Sequence, residues 1–250
     1  MCVIAIAYRC NADMPLVVGA NREEAYIRGG NEPALQEAGI PFVAGLDPLA
    51  GGTWLGVNVA GVLVAVTNRP KSYLPTKPRS RGLLVRDLLA SESAAAAVEL
   101  AAKELASGGY AGCNLLCADQ EEATIIHAGD WLRVRPLPPG LHVITTGDVD
   151  DDRDARIRYA FEWFTLERLS SGTAVLSVLR EFLSHSGPPV PINFDAGERG
   201  TVSSTIVALK ESLADSTLLH AQGSPARTAF VDRSDLLRKL ATPVPPKERR

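Results

Sequence analysis

The second residue of the chain is a cysteine, and its position offers a chemistry that the other three cysteines lack. Methionine followed by a small residue is the usual substrate for removal of the initiator. Removal of Met1 leaves Cys2 with a free α-amine beside its thiol. An α-amine has a pKa of about 7.7–8.0, close enough to neutrality to act as general base. A thiolate is a strong nucleophile, so one residue supplies both the attacking atom and its base. The plain alternative is that Cys2 only opens a buried strand, and the Met-Cys dipeptide taken alone favours that alternative.

Two further clusters could serve such a nucleophile. Asn21-Arg22-Glu23-Glu24 follows an apolar run that reads as a strand. If that run forms a hairpin with the run after Cys2, its end returns beside the start of the chain. Arg22 would then lower the thiol pKa, and Glu23 or Glu24 would hold the α-ammonium. Thr67-Asn68-Arg69 closes another strand-like run. An asparagine NH₂ at a strand end can donate to the oxyanion formed in acyl transfer. A solvated charged turn and an ordinary strand-end asparagine are the competing readings.

Other chemistry-bearing residues lack a productive spacing. Cys113 and Cys117 lie about 13 Å apart along a strand, too far to share a metal, and read as core thiols. The four histidines show no HxxxH or HExxH pattern, so no metal site is expected. Asp148, Asp150 and Asp152 alternate like a calcium loop, but Arg153 and Tyr159 stand where glycine and glutamate are needed. The acidic run reads as an N-terminal cap for the following helix. Gly51-Gly52-Thr53-Trp54-Leu55-Gly56 has no P-loop lysine and opens a strand, so its glycines suggest close packing around Trp54.

The elements that must position these residues follow from hydrophobic periodicity. Strands are predicted at 2–8, 16–21, 53–58 and 62–68, with a long irregular connection over 26–47. Leu83, Leu84, Leu88 and Leu89 recur at helical spacing after Ser80, a candidate N-cap, and residues 93–106 form a second, alanine-rich helix. Strands return at 113–118, 124–127 and 141–145, and helices at 152–169 and 173–185. Three more strands are predicted at 202–210, 217–222 and 226–232. This order departs from βαβ alternation. It predicts an α+β fold with two antiparallel sheets face to face and helices outside, as one domain over 1–241 with a disordered tail over 242–250.

Composition bounds the function. The 250 residues are 46% hydrophobic and 22% charged, with 26 basic and 29 acidic residues. No basic block exists, so nucleic acid is not an expected partner. No apolar run reaches the roughly 18 residues needed to span a membrane, and no basic segment precedes the N-terminal apolar stretch as in a signal peptide. A cytoplasmic location is expected.

Met1 to Ile4, Ala20 to Glu24, Gly51 to Val57, Gly61 to Asn68, Ser80 to Val85, Gly112 to Asp119 and Gly200 to Val207, in this order, resemble the NRDE-motif family, that of the Transport and Golgi organisation 2 protein. The resemblance implies a fold similar to N-terminal nucleophile hydrolases, a four-layer αββα sandwich. Within that superfamily the pattern is similar to the cysteine acylases that cleave bile-salt and penicillin amides. Cys2 matches their nucleophile, Glu23 the acid that contacts the α-amine, and Asn68 the oxyanion-hole asparagine. Asn21, Arg22, Glu24, Thr53, Trp54 and Thr67 are the expected supporting residues. Glu23 stands where the family motif has aspartate, Val202 where an arginine is common, and Thr146-Gly147 where the acylases place a second asparagine. The implied activity is hydrolysis or transfer of an acyl group from an amide or ester of a small molecule, with no cofactor. The implied alternative is a non-catalytic protein that binds or moves haem or a lipid or acyl ligand.

Overall fold

The computed structural model describes residues 2–37, 39–165, 167–169 and 171–242. Of the tail expected to be disordered, 243–250 lie outside the described residues. The chain runs through β1 (Val3–Tyr8), β2 (Leu16–Ala25), β3 (Ala34–Gln36), β4 (Phe42–Leu46), β5 (Thr53–Asn58) and β6 (Leu63–Asn68). Helices α1 (Arg81–Leu88) and α2 (Ala94–Ala106) follow, then β7 (Cys113–Ala118), β8 (Ala123–Ala128), β9 (Leu132–Pro136) and β10 (Gly140–Ile144). After α3 (Ala155–Trp163) and α4 (Gly172–Ser184) come β11 (Arg199–Leu209), β12 (Thr217–Ala221), β13 (Val231–Asp232) and α5 (Ser234–Ala241).

Two antiparallel sheets result, ordered β10-β1-β2-β11-β12-β13 and β3-β4-β5-β6-β7-β8-β9. Strands buried on both faces explain their near-continuous apolar sequences. Along β1, Ile4 and Ile6 enter the layer between the sheets, while Val3, Ala5 and Ala7 face α3 and α4. Along β6, Leu63 and Ala65 face the inter-sheet core and Val64 faces α1 and α2. The architecture is therefore helices, sheet, sheet, helices. Buried residues of α4 recur at Val175, Val178, Leu179, Phe182 and Leu183, the stripe a surface helix needs. Each fully buried Leu or Phe contributes about 1.5–3 kcal/mol relative to exposure. Ser171 caps this helix by accepting from the Ala174 N–H at 3.2 Å.

The structure corrects the sequence reading at several places. The connection over 26–47 holds β3 and β4, which extend the second sheet at its edge. β9 was not anticipated because every one of its residues is exposed, leaving no alternation to read. The final expected strand shrinks to Val231–Asp232, and α5 follows, burying Leu237 and Leu240 against the end of the inter-sheet core. The helix expected over 152–169 spans only Ala155–Trp163, and its N-cap is Asp154, which accepts from Arg156 N–H at 2.8 Å. The acidic run before it is mostly engaged elsewhere. Asp148 pairs with Arg69 and Arg133, and Asp150 accepts from the Val143 N–H and bonds His142.

The glycines around Trp54 also serve a different contact from the expected one. A Cβ on Gly52 would lie 2.3 Å from the Gly82 carbonyl carbon, so β5 and the first turn of α1 approach backbone to backbone. Trp54 itself is flanked by Gly30 and Gly45, where an added Cβ would meet its ring at 3.0 and 3.1 Å. Cys113 and Cys117 lie in the core under α1 and α2, and burial pushes their thiols up to about 11 and about 12. Among the described residues, no helix is long and apolar enough to cross a membrane.

Candidate functional site

The β1–β2 hairpin brings the start of one strand beside the end of the other, with Val3 opposite Asn21. Cys2, the residue before β1, sits next to Glu23, whose backbone N–H points at the thiol sulfur at 3.4 Å. Burial is the largest influence on this thiol and pushes its pKa up. The Glu23 N–H and the Arg22 guanidinium pull it down, while the Glu23 carboxylate pushes it further up. The net direction is upward, so the sulfur needs a base before it can attack.

Cys2 opens on a cleft of about 230 Å³ at the ends of several elements. Its walls include Arg22, Glu23 and Glu24 from β2, Thr53 and Trp54 from β5, Asn68 from β6, and Ser80, Arg81 and Gly82 at the start of α1. Seven of the nine residues singled out in the sequence thus meet in one place: Cys2, Arg22, Glu23, Glu24, Thr53, Trp54 and Asn68. Asn68 ends β6 in phase with Val66, exposed toward the cleft. Among the described residues none hydrogen-bonds its amide.

Asn21 and Thr67 are not in this wall. Strand alternation turns Asn21 toward the helical layer, where its amide donates to the carbonyls of Leu183 at 2.9 Å and Ile192 at 3.2 Å. It fastens the end of α4 to the sheet. Thr67 faces between the sheets and donates to the Thr145 carbonyl at 2.5 Å while accepting from the Asn114 amide. Thr53 is buried in the wall and donates to the Gly45 carbonyl at 2.7 Å.

The charges are held individually. Glu23 is buried and forms an ion pair of 2.5 Å with Arg156 from the first turn of α3. Arg156 also donates to the Ile192 carbonyl at 2.6 Å. Arg28 bridges Asp47 at 2.6 Å and Glu24 at 3.1 Å. Burial would raise the Asp47 pKa, but the Arg28 hydrogen bond and the Leu49 N–H outweigh it and hold the carboxyl below its usual value. Arg22, only 7% exposed, donates to the Gly29 carbonyl and stacks on the Trp54 ring with 4.1 Å to its centroid. Burial lowers its pKa, against the raising influence of Glu24 and Asp47.

Arg156, Arg28, Asp47 and Arg81 were missed as site residues. Arg156 lies 133 positions from Glu23, with no local pattern to mark it. Arg81 stood inside a segment read as a helix start and as one of the resembling runs, with no role assigned to the arginine. Ser80 does occupy the N-cap position, but its side chain makes no capping bond and it lines the cleft instead.

A family model described as Transport and Golgi organisation 2 matches residues 1–212. The Transport and Golgi organization protein 2 homolog of Bos taurus is 34% identical over 109 residues, covering 42% of this chain and 38% of that protein. The Homo sapiens homolog is 33% identical over 113 residues, covering 43% and 40%. These matches span well under half the length of either relative. Among solved structures, the Caenorhabditis elegans N-acylethanolamine-hydrolyzing acid amidase ortholog superposes with a TM-score of 0.58 at 15% identity, covering 83% of this chain and 92% of that one. Penicillin V acylase from Agrobacterium tumefaciens gives 0.56 at 12%, covering 95% and 88%. Conjugated bile acid hydrolase from Clostridium perfringens gives 0.52 at 11%, covering 95% and 94%. At these identities the likeness shows the fold, that of the N-terminal nucleophile hydrolases.

Proposed function

We propose that this chain, which belongs to the Transport and Golgi organisation 2 family, is an N-terminal cysteine hydrolase or acyltransferase of small-molecule amides or esters. The observation that carries the reading is the convergence of Cys2, Glu23 and Asn68 on one cleft. The structural neighbours, an amidase, an acylase and a hydrolase, support the reaction class.

The raised thiol pKa makes a base necessary, and the α-amine of Cys2 becomes that base once Met1 is removed. In the first step the thiol proton passes to the α-amine as sulfur bonds to the acyl carbon. The carbonyl π electrons move onto oxygen, and the Asn68 amide donates to that oxyanion. The intermediate then collapses, the C–N or C–O bond breaks, and the α-ammonium returns its proton to the leaving group. Water, or an acceptor nucleophile, attacks the thioester with the α-amine again as base and frees the thiol. Glu23, held by Arg156, stabilises the α-ammonium that forms in each half of the cycle.

Intact-mass measurement of the expressed protein tests the premise directly: the reading requires loss of Met1. Turnover of a panel of N-acyl amides and esters, with Cys2→Ala beside the parent, tests the rest. Turnover that vanishes in Cys2→Ala supports the nucleophile. Retained Met1, or turnover unchanged in Cys2→Ala, removes the hydrolase reading and leaves ligand binding on the same fold.

A further inference from the structure

Four arginines and three carboxylates line the cleft. Arg28 is neutralised by Asp47 and Glu24, and Arg79 by Asp87 at 2.6 Å outside the cleft. Glu23 is engaged by Arg156. Among the described residues, neither Arg22 nor Arg81 has a carboxylate within ion-pair distance. Arg81 donates once, to the Gly112 carbonyl at 2.7 Å. Arg22 is more than nine-tenths buried and feels Glu24 and Asp47 only from beyond ion-pair distance, so burial still lowers its pKa.

The first turn of α1 adds to this imbalance. Leu83 and Leu84 donate to the Ser80 carbonyl, whereas among the described residues nothing accepts from the backbone N–H of Arg81 or Gly82. The Gly52–Gly82 approach presses this turn against β5, so the helix start is fixed in the cleft wall. Two guanidinium groups without an ion-pair partner and a helix N-terminus line one cavity, the combination that suits an anion.

We propose that the ligand of this cleft carries an anionic group, a carboxylate or phosphate, that binds Arg81 and the start of α1 with Arg22 as the second positive charge. The inference deepens the hydrolase reading and rests on it only for the word substrate. It makes the preferred compounds acyl amides or esters with a negative group on the part that Cys2 does not acylate.

The test uses the full-length Cys2→Ala protein, which binds without turnover, and calorimetric titration with three probes. These are N-octanoylglycine, N-octanoylethanolamine and O-phospho-N-octanoylethanolamine. At least one charged probe should bind about tenfold or more tighter than the neutral one, equivalent to about 1.4 kcal/mol. Which of the two wins distinguishes carboxylate from phosphate. The preference should disappear in the added variant Arg81→Gln, return in part in Arg81→Lys, and shrink between about 0.05 and 0.5 M salt. Equal or tighter binding of the neutral probe, no binding of either charged probe, or a preference unaltered by Arg81→Gln overturns the proposal. Thermal unfolding of each variant separates loss of the site from loss of the fold. Binding preference without turnover by the parent leaves the anion site standing and removes the hydrolase reading; turnover without preference does the reverse.

Discussion

Arg156 in the first turn of α3 clasps Glu23, the residue whose backbone N–H faces the Cys2 sulfur. The pair couples the helical layer to the strand end beside the candidate nucleophile. Both side chains are largely removed from solvent, so each charge gains from the other.

Arg156→Ala removes one counter-charge from the buried Glu23 carboxylate. Stability should fall by about 3–5 kcal/mol, read from the urea midpoint at constant m-value. A loss below about 1 kcal/mol would show that water replaces the arginine. The double variant Arg156→Met with Glu23→Leu should recover much of the loss.

Asn68→Ala removes an exposed strand-end amide with no hydrogen-bond partner among the described residues. Folding stability should hardly change. On any amide or ester the protein turns over, kcat should fall by about 10²–10³-fold with KM nearly constant. An equal rise in KM at constant kcat would assign Asn68 to ground-state binding.

His127 sets a pH dependence of stability. Burial, aided by the Arg69 guanidinium, lowers its pKa from 6.5 to about 4. Its Nδ1 lies 2.8 Å from the Asn114 Oδ1 and 3.4 Å from Arg69. The folded state therefore binds this proton less readily than the unfolded chain. The stabilisation is fully present above pH 6.5 and is lost as pH falls toward about 4, by up to about 3 kcal/mol. Urea midpoints from pH 7 to pH 4 should decline, and His127→Gln should flatten that decline. An unchanged slope in the variant would place the dependence on other groups.

Gly52→Ala puts a methyl group 2.3 Å from the Gly82 carbonyl carbon, against backbone that cannot swing aside. Overpacking of this kind costs about 1–3 kcal/mol. The first turn of α1 should shift away from β5, and any ligand held by Arg81 should bind more weakly. Gly61→Ala, at a turn where an added Cβ meets nothing within 4 Å, is the contrast: its φ of +80° strains the turn without moving the cleft.

The elements legible in the sequence are those with strong apolar runs. β1, β5, β6 and β7 came out within a residue or so of their observed bounds, because strands buried on both faces must be apolar throughout. β3 and β9 were missed because edge strands bury too little to leave a pattern. α5 was missed because its short apolar stripe, Leu237 and Leu240, lies in a segment rich in charge.

The sequence by itself determined the layered α+β architecture and offered Cys2, Glu23 and Asn68 as reacting or supporting groups, since residue type, strand ends and position in the chain are local properties. Only the tertiary structure decided which neighbours join them. It turned Asn21 toward α4 and Thr67 toward Thr145, brought Arg156 to Glu23, and left Arg22 and Arg81 facing the same cleft. These outcomes depend on how helices seat on sheets and on which face a strand presents. Both are settled by packing among residues far apart in the chain, 78 positions for Thr67 and Thr145 and 162 for Asn21 and Leu183, and no short-range pattern records that packing.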